Sequence, residues 1–219
     1  AALIARKDIG LLLFRGQGMV QALLLGLLLI FLFSLAGSRS QVEPVWQAAI
    51  FWLATCFSLV LIFNSLYAVE EETGARDALL MAPVPAQAIW LGKAWAGVAL
   101  LLLVQLFFLP AEAVFLQASL PGSWTDGLIL LLSVDGGLVI LSSLFGAMGQ
   151  GQSARESLLS VILFPLQIPL LLAGIEVGQA LLSQGYGGQE MGVWLGLILA
   201  FDAVFLGAGL LLFPFVYAE

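Results

Sequence analysis

Three carboxylic acids lie inside long apolar stretches of the chain, where a charged group is costly. They are Glu112, Asp135 and Asp202, and an ionised side chain at the centre of a bilayer costs about 2.5–3.5 kcal/mol on insertion scales. No Lys or Arg lies at a similar depth, so these acids lack a cationic partner within the chain. We expect them to be protonated or hydrogen-bonded, and to face the protein interior, a wet outer cleft or another membrane subunit. Proton sharing or partner contact is the chemistry open to them, and three isolated hydrogen-bonded acids are the structural alternative.

The elements that must position these acids are six apolar stretches, each about 20 residues or longer. They run roughly over 19–36, 45–66, 89–118, 126–148, 157–182 and 193–217. A helix of about 20 residues spans a hydrocarbon core of about 30 Å. Hydrophobic residues make up 62% of the chain and charged residues 10%, with a mean hydropathy of +1.10. We therefore predict an all-α polytopic membrane protein with six transmembrane helices, forming a single domain over residues 1–219.

The orientation follows from the cations in the connecting segments. If the N-terminus is cytoplasmic, one cation, Arg39, falls outside and six fall inside: Arg6, Lys7, Arg15, Arg76, Lys93 and Arg155. This split obeys the positive-inside rule. Both termini are predicted to be cytoplasmic. The cationic residues 1–18 are compatible with an interfacial helix before the first span.

The most polar stretch follows the second span and is predicted to be a short cytoplasmic helix over Glu70–Ala82. Acids gather at its start, Thr73 is a candidate cap, and Pro83 and Pro85 end it. A docking helix for a cytoplasmic partner is one interpretation, and a solvated linker is the other. The candidate partner-binding residues are Glu70, Glu71, Glu72, Arg76, Asp77, Leu79, Leu80 and Met81.

Two further features concern the later spans. Lys93, near the start of the third, is expected to extend its ammonium to the membrane interface. In the fifth span Pro165 and Pro169 flank Gln167. Each proline removes a backbone hydrogen bond, so this span is predicted to be kinked or locally broken.

Several kinds of site are absent from the sequence. There is no histidine, and the single cysteine and four methionines do not pair at ligand spacing, so we expect no metal or cofactor to be bound by this chain. There is also no phosphate-binding G-x-x-x-x-G-K-[ST] loop. A hydrolytic active site has no candidate residues, so the chain is predicted not to be an enzyme.

Two segments resemble one membrane-protein family. The first is Glu72-Thr73-Gly74-Ala75-Arg76-Asp77-Ala78-Leu79-Leu80-Met81-Ala82-Pro83-Val84-Pro85, with Leu91-Gly92-Lys93 following. The second is Leu158-Leu159-Ser160-Val161-Ile162-Leu163-Phe164-Pro165-Leu166-Gln167-Ile168-Pro169-Leu170-Leu171-Leu172. Both are similar to the haem exporter protein B family, CcmB, and the length and six-span pattern fit the whole chain. The three intramembrane acids are not part of the resemblance.

The resemblance implies an ABC-exporter-type permease of the bacterial inner membrane that serves cytochrome c maturation. Its ATPase would be a separate cytoplasmic A subunit, and its other partners would be membrane subunits C and D, a periplasmic haem chaperone E and a second copy of the chain. ATP would bind the A subunit, haem would be handled by the complex, and no nucleic acid would be involved.

Other functions remain open on the sequence. One is a six-span ABC permease that exports a drug or polysaccharide. Another is a secondary transporter driven by protons through Glu112, Asp135 and Asp202, although the six spans show no inverted repeat. The last is a membrane scaffold. Co-purification of an ATPase would separate the ABC permeases from the other two.

Overall fold

The computed structural model describes residues 1–15, 17–37, 42–118, 123–148, 153–183 and 188–218. Within these ranges the chain forms eight α-helices and no strand. They are α1 (Ala2–Arg15), α2 (Gln17–Ala36), α3 (Pro44–Thr73), α4 (Ala75–Met81), α5 (Ala86–Phe115), α6 (Trp124–Met148), α7 (Ser153–Leu182) and α8 (Gly188–Ala218).

Six of these helices are long and apolar enough to cross a membrane, namely α2, α3, α5, α6, α7 and α8. The predicted all-α architecture with six transmembrane helices is therefore confirmed. Of the six, α3 is the most buried and α8 the least. Successive spans run in opposite directions, so α1, the C-terminal end of α3, α4 and the start of α5 share one end of the bundle, called here the α4 end.

Glycines let the helices approach closely where aromatic rings lie on them. At Gly146 of α6, an added Cβ atom would lie 2.8 Å from the ring of Tyr67 on α3. At Gly174 of α7, it would lie 2.8 Å from the indole of Trp52. Cβ atoms do not pack this close to a ring, so the absence of a side chain is what permits both contacts. Glycine thus permits close helix packing at these two crossings.

The short helix begins later than the sequence indicated. Residues Glu70–Thr73 are the last turn of α3, and Thr73 Oγ1 donates a hydrogen bond back to the carbonyl of Val69 at 2.6 Å. Thr73 therefore does not cap α4, and that expectation was wrong. Gly74 separates the two helices because its φ of 64° lies in the left-handed region, which glycine adopts without strain. At the other end, Ala82 is extended before Pro83, which terminates α4.

The fifth span, α7, is one helix that includes both Pro165 and Pro169. The local break that the sequence allowed is therefore not present, whereas a bend at Gln167 stays a prediction. Helices in membranes tolerate proline when other groups satisfy the freed carbonyls.

Candidate functional site

Four charged side chains from three helices meet at the α4 end of the bundle. Lys7 and Asp8 come from α1, Glu70 from α3 and Lys93 from α5. Oε1 of Glu70 lies 2.9 Å from Lys93 Nζ and 3.2 Å from Lys7 Nζ. Lys7 Nζ is also 3.1 Å from Asp8 Oδ1, and Lys93 Nζ is 3.7 Å from Asp8 Oδ2. We call these four residues the charged cluster.

The charged cluster is mostly removed from solvent. The side chains of Lys93 and Glu70 are 0% and 1% exposed, Asp8 is 3% exposed and Lys7 is 37% exposed. The two cations and two anions cancel, which is what makes burial tolerable, because a buried charge without a partner is strongly destabilising. The expected reach of Lys93 to the membrane interface was wrong, since two carboxylates hold its ammonium inside the protein.

Close packing of α1 on α5 creates this arrangement. A Cβ atom at Gly92 would lie 2.9 Å from both the carbonyl oxygen of Ala1 and Cβ of Ile4. Because residue 92 has no side chain, α1 crosses α5 directly beside Lys93. This crossing brings the carboxylate of Asp8 next to an ammonium that is distant from it in sequence.

The aromatic ring of Tyr67 also packs against Lys93, and hydrogen bonds to Ser143 hold this region in place. Lys93 Nζ lies 4.5 Å from the centre of the Tyr67 ring, a cation–π distance. The Tyr67 hydroxyl donates to the backbone carbonyl of Ser143 at 2.8 Å, and the Trp90 indole donates to Oγ of the same serine at 2.8 Å. Helix α6 therefore fixes the ring against which the ammonium packs.

The partly exposed member of the cluster has a perturbed pKa. Burial alone would lower the pKa of Lys7, but the neighbouring carboxylates of Asp8 and Glu70 outweigh it and raise the pKa above 10.5. A raised lysine pKa contributes stability at pH values below the unfolded pKa, and this contribution is lost only as pH rises through the folded pKa. Lys7 is therefore a cation throughout the physiological range.

Helix α4 follows the charged cluster after one turn of α3. Met81 at its end is 81% exposed, whereas Leu79 packs partly buried against the core. Glu72 is exposed as well. The side chains of Glu71, Arg76, Asp77 and Leu80 lie outside the described part of the structure. Of the predicted docking residues, Met81 and Glu72 are accessible, and Glu70 belongs to the buried cluster instead.

The intramembrane acids occupy the other half of the bundle. Asp135 is fully buried and accepts a 2.8 Å hydrogen bond from Gln105 Nε2 of α5. Glu112 is 6% exposed, and Asp202 of α8 is partly exposed beside Gly136 and Gly137. Glu112 and Asp135 thus face protein. One oxygen of each acid, together with Gln105 Oε1, has no hydrogen-bond partner among the described residues.

These acids do not assemble into a multidentate site. Within the described ranges, no three His, Cys, Asp or Glu side chains come close enough to hold a metal ion. The shared polar cleft and the proton-sharing or partner-contact role remain predictions.

Gln167, between the two prolines of α7, joins three spans. Its Oε1 accepts a 2.6 Å hydrogen bond from Cys56 Sγ of α3, and its Nε2 donates at 3.1 Å to Ser142 Oγ of α6. All of these groups are buried. The residue between the prolines is therefore an interhelical polar contact, not a group facing lipid.

Comparison with known proteins places the chain in a family. The sequence model described as "CcmB protein" matches residues 1–219. The chain belongs to the CcmB family. It is 29% identical over 209 residues to "Heme exporter protein B" of Pseudomonas aeruginosa, covering 91% of this chain and 89% of that protein. The protein of the same name from Rhodobacter capsulatus is 28% identical over 187 residues, with 83% and 79% covered. That from Bradyrhizobium diazoefficiens is 25% identical over 210 residues, with 94% and 91% covered.

The resemblance to CcmB seen in the sequence is thus confirmed, and this CcmB-family chain is a multi-pass membrane protein. Sequence reasoning missed Asp8, Tyr67 and Gln105 as parts of polar sites. One signal was available for Asp8: it is the only acid before Glu43, and it directly follows Lys7. The pairing of Gln105 with Asp135 had no comparable signal, because it depends on the rotation of α5 against α6.

Proposed function

We propose that this chain is the permease subunit of an ABC transporter complex for cytochrome c maturation. In this function it couples ATP hydrolysis on a separate cytoplasmic subunit to haem delivery and to release of a haem-loaded periplasmic chaperone. The observation that carries the proposal is the match of the whole chain to the CcmB family, with relatives named heme exporter protein B. Lack of a phosphate-binding loop in the sequence fits a chain whose ATPase is a partner.

Two features of the α4 end support this proposal. Helix α4 is bounded by Gly74 and by prolines, and Met81 presents an apolar side chain that is 81% exposed. An exposed methionine at the end of a short helix suits an adaptable protein–protein contact. The α4 end is then the cytoplasmic end, both termini are cytoplasmic, and the protein lies in the bacterial inner membrane.

The remaining partners follow from the same family. They are the A-subunit ATPase, membrane subunits C and D, the periplasmic chaperone E and a second copy of this chain. Because the sequence has no histidine, any imidazole ligand of the haem iron would come from another chain. ATP would be bound by the A subunit, and no nucleic acid takes part.

The test is co-purification from the native membrane in mild detergent. A tagged copy of this chain is expected to retain an ATPase subunit at a fixed molar ratio, with ATP hydrolysis that the haem-loaded chaperone stimulates. A chain that purifies without any ATPase would contradict the proposal and would favour the proton-driven or scaffold function. A stimulated ATPase that responds to a drug or polysaccharide, and not to the chaperone, would favour another export permease.

A further inference from the structure

The ammonium of Lys93 is ion-paired with two carboxylates, closely with one and at a longer distance with the other. Glu70 Oε1 is 2.9 Å away and Asp8 Oδ2 is 3.7 Å away. Neither Lys93 Nζ nor Asp8 Oδ2 has an aligned hydrogen-bond partner among the described residues. Buried ammonium groups normally have their donors satisfied. Asp8 is therefore a second buried carboxylate within ion-pair distance of Lys93, and its Oδ2 accepts no hydrogen bond among the described residues.

We infer that Asp8 is a positioning residue that takes Lys93 over from Glu70 when α4 is displaced. The inference rests on the proposed function in one respect, namely that a cytoplasmic partner moves α4. Glu70 lies four residues before the left-handed Gly74 that joins α3 to α4, so a pull on α4 acts first on the turn that carries Glu70. Exchange to Asp8 lets that turn move without leaving a buried ammonium unpaired.

Lys7 makes the exchange electrostatically balanced. Its Nζ is 3.1 Å from Asp8 Oδ1 and 3.2 Å from Glu70 Oε1, so it is already shared between the same two carboxylates. When Lys93 moves to Asp8, Lys7 remains beside Glu70. Both arrangements keep two cations against two anions. A static cluster, by contrast, would use Asp8 only to neutralise Lys7.

Two double variants distinguish exchange from a static cluster. Each removes one positive and one negative charge, and both are measured on the purified chain without its partners. Lys7→Gln with Glu70→Gln leaves Asp8 as the one carboxylate near Lys93 among the described residues. Lys7→Gln with Asp8→Asn leaves Lys93 the Glu70 contact present in the structure. Exchange predicts thermal midpoints within about 5 °C of each other. A midpoint for the first variant more than about 5 °C below that of the second overturns the inference, because Lys93 then has no partner without Glu70.

The purified complex tests whether the exchange is used. Each double variant holds Lys93 on one carboxylate, so we expect ATP hydrolysed per chaperone released to rise about tenfold in both. Asp8→Glu alone, which keeps both carboxylates, should give a ratio near that of the wild type. Arg6→Gln, which removes an exposed cation of α1 but none of the cluster, is the control. Unchanged ratios in both double variants would overturn the positioning role. If the wild-type chain binds no ATPase, the proposed function fails, while the thermal comparison still decides the exchange.

Discussion

Single residues of this protein show how a membrane bundle accommodates polar groups. Gln167 binds Cys56 and Ser142 on two other spans, with no charge involved. Asp135 is fully buried with one donor, Gln105. Sequence alone identified Gln167 and Asp135 as unusual, because polar residues in apolar runs stand out. It could not identify their partners, because small side chains such as Ser142 occur throughout the spans.

Replacing Gln167 with Leu is expected to loosen the contact between α3, α6 and α7. The variant removes two interhelical hydrogen bonds and leaves the Ser142 hydroxyl with one partner fewer. Interhelical polar contacts in membranes contribute about 0.6 kcal/mol on average, so the loss should be about 1 kcal/mol. The thermal midpoint of the purified chain measures it. Gln179→Leu is the matched control, since Gln179 donates to Glu176 of its own helix, and an equal effect of both changes would refute the bridging role.

Replacing Gly146 with Ala is expected to destabilise the α3–α6 crossing by about 1–3 kcal/mol. The new methyl would lie 2.8 Å from the Tyr67 ring, and this ring cannot easily yield because its hydroxyl is bonded to Ser143. The control is Gly196→Ala on α8, where nothing lies within 4 Å. That change should leave the midpoint unchanged or slightly higher, because alanine favours helix. If the midpoints of both variants are equal, the packing at Gly146 is looser than described.

At the scale of elements, the sequence predicted which segments are helices better than how they end. Six apolar runs gave six spans, because an unpaired backbone in lipid leaves helix as the only local solution. The boundary near Thr73 failed for a specific reason. Threonine is common as an N-terminal cap, but here α3 continues one turn further, through the polar residues Glu70–Thr73, and Gly74 supplies the break. The sequence also did not predict which helix α1 packs against. Its cationic residues suggested an interfacial position, and a helix at the membrane surface carries no pattern that specifies its neighbour.

The α4 helix carries a prediction about association. Met81→Asp places a charge at a side chain that is 81% exposed, so the fold should tolerate it while an apolar contact with the ATPase is lost. We expect about tenfold less ATPase subunit to co-purify, which corresponds to about 1.4 kcal/mol. The amount of chain inserted in the membrane, measured on the same samples, should not change.

Other positions of α4 serve as comparisons for Met81→Asp. Met81→Leu should retain the ATPase subunit, because it keeps the apolar surface. Leu79→Asp is less informative, because Leu79 packs partly against the core and its loss could disturb the fold itself. Leu80→Asp tests the same docking prediction at a side chain outside the described part of the structure. Full retention of the ATPase by Met81→Asp and Leu80→Asp together would show that α4 is not the docking element.

At the scale of the whole molecule, helix orientation is the property that sequence states most directly. Positive-inside counting predicts that the α4 end is cytoplasmic. Lys7 and Lys93 both lie at this end of the bundle, and its side of the membrane stays a prediction. The mutual arrangement of the spans could not be predicted, because lipid-facing and protein-facing residues are both apolar in this chain. Hydrophobicity therefore does not distinguish the largely buried helix α3 from the largely exposed helix α8.

Orientation can be tested by labelling single cysteines placed before and after α5 in the chain. In a Cys56→Ser background, Gln117→Cys should react with a membrane-impermeant maleimide in cells whose inner membrane is intact. Met81→Cys, expressed without the ATPase subunit so that its proposed docking site is free, should react only after that membrane is permeabilised. Both positions are exposed in the structure, so burial does not account for a difference. The opposite pattern would place the α4 end outside and would contradict docking of a cytoplasmic ATPase.

The charged cluster also bears on how the chain is made by the ribosome and inserted into the membrane. Lys7 and Asp8 emerge first and already neutralise one another as neighbours, with Nζ and Oδ1 3.1 Å apart. Glu70 is synthesised later, with the second span, when its partner Lys7 is already present. Lys93 follows at the start of the third span. Each new charge thus meets an opposite charge synthesised before it. We therefore expect nascent α3 and α5 to associate beside the translocon before the last three spans are synthesised.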